Sequence, residues 1–181
     1  MALKATIFKA DLQIADMDRH YYADHTLTIA RHPSETDERM MVRLLAFALN
    51  ADEALAFGRG LSTEDEPDLW RKDLTGAITT WIDVGLPDER RITKACGRSE
   101  QVLVYTYGST AGVWWKQVGP RLERLDKVRV MHIEPAQTVA LAALAERTMR
   151  LQCTIQDAQV WLTGARGAVE ISPVTLSGAR G

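Results

Sequence analysis

The sequence predicts an α/β fold, a mixed β-sheet flanked by helices. Three observations carry that prediction. Strand-like and helix-like segments alternate from Ile78 to Ile133, the order that builds right-handed parallel crossovers. Segments of strict apolar and polar alternation stand at both ends of the chain and imply antiparallel additions. The 181 residues are 46% apolar and 25% charged, enough for one sizeable core and too few for a comfortable second one. One domain over residues 1–181 is therefore expected, with a frayed tail at 173–181.

The elements follow in order. Leu3 to Ile14 and Tyr21 to Ile29 alternate around a polar turn at Asp16-Met17-Asp18, which predicts a long hairpin. Pro33-Ser34 opens a helix, with Ser34 as cap and Glu35, Asp37 and Glu38 at its positive end. Its apolar stripe Met41, Leu44, Leu45 and Ala48 runs to Asn50. Leu55 to Leu61 reads as a short strand broken by Gly58 and Gly60, and an acidic turn follows from Thr63 to Pro67. Asp68 to Leu74 is a polar strand or loop, and Ile78 to Val84 a strand rich in β-branched and aromatic residues. Pro87 opens a short helix that Gly97 closes. A strand spans Gln101 to Tyr107, and Ser109 caps the helix bearing Trp114 and Trp115. A strand at Val128 to Ile133 precedes a helix from Pro135 to about Arg147. Leu151 to Gln156 and Gln159 to Leu162 form a closing hairpin through Asp157-Ala158.

Composition excludes several classes of function. A net charge of −2 gives no long-range attraction for phosphate backbones, so any nucleic-acid contact needs a local basic patch. Arg59, Arg71, Lys72, Arg90, Arg91 and Arg98 are the residues that could build one. Cys96 and Cys153 have no metal-ligand spacing and read as reduced residues in or near the core. The N-terminal stretch is no signal peptide, and no apolar run approaches the ~20 residues that span a bilayer. A cytoplasmic address without membrane contact is expected. His20, His25, His32 and His132 lack zinc-like spacing, and Gly58-Arg59-Gly60 lacks the signature of a phosphate loop. His32 reads as a hydrogen-bonding residue at the helix entry. Of Trp114 and Trp115, one should pack on the sheet and the other cover a seam, unless they form a base-stacking platform.

The concentrated chemistry lies between Glu66 and Lys94. Thr79, Trp81 and Asp83 share one strand face, so Asp83 presents a carboxylate near the C-terminal strand end, where open α/β sheets place ligands. The alternative is a helix cap or a pair with Arg90 or Arg91. Asp68 opens the segment that leads by hairpin into the Asp83 strand, which sets the two carboxylates at neighbouring ends. Such a pair, without cysteine or histidine, suits a hard divalent cation such as Mg²⁺ or Mn²⁺. Lys94 follows on the next helix, three residues after Arg91 on the same face, where an ammonium could orient water or stabilise phosphate charge. Arg90 and Arg91 are candidates for substrate binding. Glu38 extends the stripe of Met41 and Leu45 toward the core, whereas Glu35, Arg39 and Arg43 read as a solvent-facing ladder.

The resulting αβββαβ order, with Pro67-Asp68 followed by Asp83 on the next strand, resembles the core of the PD-(D/E)XK (restriction-endonuclease-like) nuclease superfamily. The chain as a whole resembles the YaeQ family of bacterial proteins. The matching segments are MALKATIFKA, TIARHPSETDERMM, GLSTEDEPDLW, WIDVGLPDERRITKAC and TMRLQCTIQD, which reach from Met1 to about Leu162. The superfamily resemblance implies a metal-dependent nuclease or phosphodiesterase in which Asp68 and Asp83 hold the metal. It places lysine two residues after the strand acid, a position filled here by Gly85. Lys94 then stands in as the migrated lysine that assists water, with Glu38 orienting water, metal or Lys94. The other reading is a catalytically degenerate binding or regulatory module acting through a nucleic-acid or protein partner.

Overall fold

The computed structural model describes residues 4–59, 61 and 63–177. In chain order its first elements are β1 (Thr6–Asp16), β2 (Tyr21–Arg31), α1 (Asp37–Leu49), β3 (Leu55–Phe57), β4 (Leu69–Lys72) and β5 (Ile78–Val84). They are followed by α2 (Glu89–Arg98), β6 (Ser99–Thr106), α3 (Ala111–Leu122), β7 (Val128–His132) and α4 (Pro135–Ala142). The chain closes with β8 (Thr148–Gln156), β9 (Gln159–Gly164), β10 (Gly167–Ile171) and β11 (Val174–Ser177). The fold is mixed α/β, with two mixed sheets and four helices among the described residues.

The expected single sheet is thus divided. The terminal hairpins do not extend the central strands, because β1 pairs in parallel with β8 and joins both hairpins in a sheet of their own. Its order is β10-β9-β8-β1-β2. The chain accordingly falls into two compact units, residues 1–49 with 136–173, and residues 50–135 with 174–181.

In the first unit the alternation of β1 buries Phe8, Ala10, Leu12 and Ile14 and leaves Lys9, Asp11 and Gln13 exposed. Helix α1 buries every residue from Met40 to Ala48, and the Phe47 ring meets His25 edge-on at 5.1 Å. The helix starts later than expected: Thr36 Oγ1, in place of Ser34, accepts the Arg39 amide, while Ser34 N donates to His32 Nδ1. His32 is therefore the predicted hydrogen-bonding residue of the helix entry. The ladder of Glu35, Arg39 and Arg43 is not solvent-facing. Arg43 forks onto Glu35 at 2.6 and 2.8 Å and also donates to Ala30 O, and both side chains are buried. With a second arginine, Arg39, at 2.6 Å, the buried carboxylate keeps its charge compensated. Helix α4 stops at Ala142, short of Arg147, whose backbone and side chain instead bond to Lys9 N and Ile7 O beside β1.

In the second unit the sheet order is β11-β7-β6-β5-β4-β3, with β5, β6 and β7 parallel through α2 and α3. Trp81, Ile92, Ala95, Val102, Val104, Leu122, Val128 and Val130 form its core. The predicted frayed tail holds β11, which pairs with β7 over Val174–Ser177. Asp88 caps α2 and Gly97 lies inside it, while α3 has Thr110 at its cap with no side-chain bond, in place of Ser109. Trp114 donates to Pro87 O, and Trp115 lies so close to Gly119 that a Cβ there would meet its ring at 2.9 Å. The expected strand around Leu55 to Leu61 shortens to β3, and Leu3 and Gly60 lie outside the described residues. Both cysteines are free thiols, Cys153 buried and Cys96 half-buried. No helix among the described residues is long and apolar enough to cross a membrane.

Candidate functional site

The site is built where β4, β5 and α2 meet. Strand β4 pairs with β5 in antiparallel register Leu69↔Ile82, so Asp68, one residue before, stands across from Asp83, one residue after. Residues opposite each other in such a ladder carry their side chains on the same face. The two aspartates are therefore neighbours, as the strand faces predict, and they are only 3% and 2% exposed. Asp68 Oδ2 accepts the Val84 amide at 2.7 Å, which ties the carboxylate to the end of β5. Its carbonyl accepts the Gly58 amide at 3.0 Å, and a Cβ at Gly58 would stand 2.1 Å from Pro67 O. Only glycine allows that approach.

Arg91 supplies the positive charge. Its Nε donates to Asp83 Oδ2 at 2.8 Å and its Nη2 to Asp83 Oδ1 at 3.1 Å, so both carboxylate oxygens are engaged by one fork. The same guanidinium donates to the carbonyls of Glu64 and Glu66 at 2.9 and 3.0 Å. The bond to Asp83 holds the Arg91 pKa above its ordinary value, against the opposing effect of burial. The charges of Asp83, Asp68 and Asp88 act in the same direction. Asp88 also accepts the Arg91 amide at 2.7 Å as the cap of α2, which fixes where the arginine leaves the helix.

Lys94 lies one turn further along α2. Its Nζ is 3.3 Å from Asp65 Oδ1, in a pair whose side chains are 63% and 76% exposed. It turns onto the acidic stretch, as does Arg98, which donates to Asp65 O at 2.7 Å. Arg90 is exposed and lines a groove of about 470 Å³ with Glu89, Thr93 and Lys94. Glu38 is half-buried in the first turn of α1 and belongs to the other compact unit. The structure thus brings together Asp68, Asp83 and Arg91, and directs Lys94 to Asp65.

Gly85 explains why no lysine follows Asp83 on the strand. Its backbone has φ +105° and its amide bonds to Tyr105 O at 2.9 Å. A residue with a side chain is strained in that conformation.

A hard cation would need carboxylate oxygens free to coordinate it. Among the described residues no three Asp, Glu, His or Cys side chains gather into a metal-holding group. Both Asp83 oxygens already accept N–H bonds from Arg91, so a cation there would have to share that carboxylate with the guanidinium.

Glu64 and Asp65 are exposed, and α2 also grips this acidic turn with three side chains. The available signal is the spacing of Arg91, Lys94 and Arg98, which share one helix face opposite a run of three acids. A second missed feature is the aromatic pair below it. Trp70 and Trp81 are register partners at 6.4 Å, ring edge to ring face, with Arg98 5.2 Å from the Trp81 ring centre.

Comparison with known proteins places these residues in a lineage. The YaeQ protein family model matches residues 1–173. The YaeQ protein of Salmonella typhi is 49% identical over 172 residues, covering 94% of this chain and 95% of that one. The protein of the same name from Escherichia coli (strain K12) is 47% identical over 173 residues, 95% of this chain and 96% of its own. The crystal structure of YaeQ protein from Xanthomonas axonopodis pv. citri superposes with a TM-score of 0.93 at 52% identity, covering 97% of this chain and 99% of that one. That of YaeQ protein from Pseudomonas syringae gives 0.93 at 41% identity, covering 98% of each. On both the family match and these near full-length relatives, the chain belongs to the YaeQ family.

Proposed function

We propose that this chain is a binding or regulatory module on a PD-(D/E)XK-like scaffold, in which Arg91 supplies the charge that a metal ion would bring. The element order α1-β3-β4-β5-α2-β6 supports the scaffold, since it repeats the αβββαβ run with Pro67-Asp68 and Asp83 at the acidic positions. The two-pronged bond from Arg91 to Asp83 carries the functional half of the reading. A carboxylate so engaged is neutralised in place, and a second cation at it would face the charge of the guanidinium. Lys94, turned onto Asp65, supports the same conclusion. The partner is a nucleic acid or a protein met in the cytoplasm, the address expected from the sequence.

Calorimetric titration with Mg²⁺ and Mn²⁺, and incubation with single- and double-stranded DNA and RNA, test the proposal. The expected result is no metal uptake and no cleavage. Cleavage that disappears in Asp83→Ala would replace it with the hydrolytic reading. That second reading is favoured by one observation, the cross-strand placement of Asp68 and Asp83. It assigns the metal to Asp68 and Asp83 and an assisting role to Lys94, and it requires Arg91 to leave Asp83.

A further inference from the structure

Helix α2 carries Arg90, Arg91, Lys94 and Arg98 against a single acid, Glu89. Three of these cations converge on Glu64-Asp65-Glu66 through Arg91 to two carbonyls, Arg98 to a third, and Lys94 to the Asp65 carboxylate. A basic helix face and an acidic turn thus lie together, joined by a carboxylate contact from Lys94 and by backbone-carbonyl contacts from Arg91 and Arg98. The groove lined by Arg90 and Lys94 opens on the same helix.

We propose that the Lys94 and Arg98 face of α2 is a surface for single-stranded nucleic acid, and that the turn 64–66 covers it as an intramolecular substitute for the phosphate chain. The proposal rests on the binding reading above and names the partner of that module. The Lys94–Asp65 pair is exposed on both sides, and exposed pairs exchange readily for other ions. Nucleic acid is favoured over an acidic peptide by the half-buried Trp70 ring at the end of the row. Arg98 stands over Trp81, which is buried; Trp81 in turn meets the half-buried Trp70, and Lys72 Nζ lies 3.8 Å from the Trp70 ring. Cations interleaved with aromatic rings suit a strand that offers phosphates and stacking bases in turn.

Fluorescence anisotropy with a labelled oligothymidylate of about 15 nucleotides, in buffer containing a chelator, tests this directly. The variant Glu64→Gln, Asp65→Asn, Glu66→Gln is expected to bind about tenfold more tightly than the unaltered chain, with a steeper loss of affinity on adding salt. Adding Lys94→Gln and Arg98→Gln should remove that gain. Trp70→Ala should weaken binding while leaving the salt slope nearly unchanged. The single change Asp65→Asn keeps the backbone grips and serves as the measurement if the triple variant fails to fold. No gain in affinity, or a gain that survives loss of Lys94 and Arg98, overturns the proposal. Displacement of the oligonucleotide by polyglutamate as effectively as by unlabelled oligonucleotide overturns it in favour of an acidic peptide. Because the chelator removes divalent cations, failure here is separate from any cleavage seen in the metal-dependent assay.

Discussion

At the scale of single residues, Arg91 and Asp83 set the terms. A carboxylate only 2% exposed, held by one fork, is left as an uncompensated buried charge when the fork is removed. Arg91→Gln should therefore cost about 3 kcal/mol in urea denaturation, and Asp83→Asn added to it should recover part of the loss. Equal stability of the single variant and the unaltered chain would mean that water reaches Asp83. Gly85→Lys should cost about 1–3 kcal/mol, since φ +105° strains any side chain. Cys153 adds a pH dependence. Burial, with a smaller effect from Asp16, pushes its thiol up to about 12 from an ordinary 9.0. Between those values the unfolded chain holds fewer protons than the folded one, so stability falls as pH rises from 9 toward 12. Melting temperatures across that range for the chain and for Cys153→Ala check the sign; the variant should have a shallower slope, since burial also raises the Cys96 thiol. Strand-face periodicity makes Asp68 and Asp83 legible as neighbours in the sequence. It cannot choose between Arg90 and Arg91, which point about 100° apart on a helix. The choice is made by burial of Ile92 and Ala95, which rotates α2 until Arg91 faces Asp83.

At the scale of elements, α2 depends on its start. Asp88 accepts the Arg91 amide, and Asp88→Ala should cost about 1 kcal/mol of stability by thermal or urea unfolding. A cost near zero would show that water satisfies the amide as well as the cap does. Most elements were readable because period two and period 3.6 leave direct marks in the order of apolar residues. The division into two sheets was not readable. Periodicity records which face of a strand is buried and says nothing of its partner, and the pairing of β1 with β8 joins Gln13 to Gln152 across 139 residues. The burial of Arg43 has the same origin. Its spacing from Glu35 and Arg39 looks solvent-exposed, and its setting in the apolar run Met40 to Ala48 was the better guide.

At the scale of the whole molecule, the two units differ in how far their contacts reach. Parallel strands β5, β6 and β7 close over short crossovers, whereas the first sheet waits for residues near the end of the chain. Loop closure over long separations slows folding. Pulse-labelled hydrogen exchange should therefore find the amides of β5 and β6 protected before those shared by β1 and β8, and the reverse order would contradict this account. The path of the chain also bears on heredity. Residues 50–135 leave the first unit after Leu49 and return before Ala136 as one excursion. Recombination at those two points could exchange the whole stretch between related genes and keep every pairing of β1, β2, β8, β9 and β10 intact. Strand β11, encoded downstream and laid against β7, would have to match the newcomer.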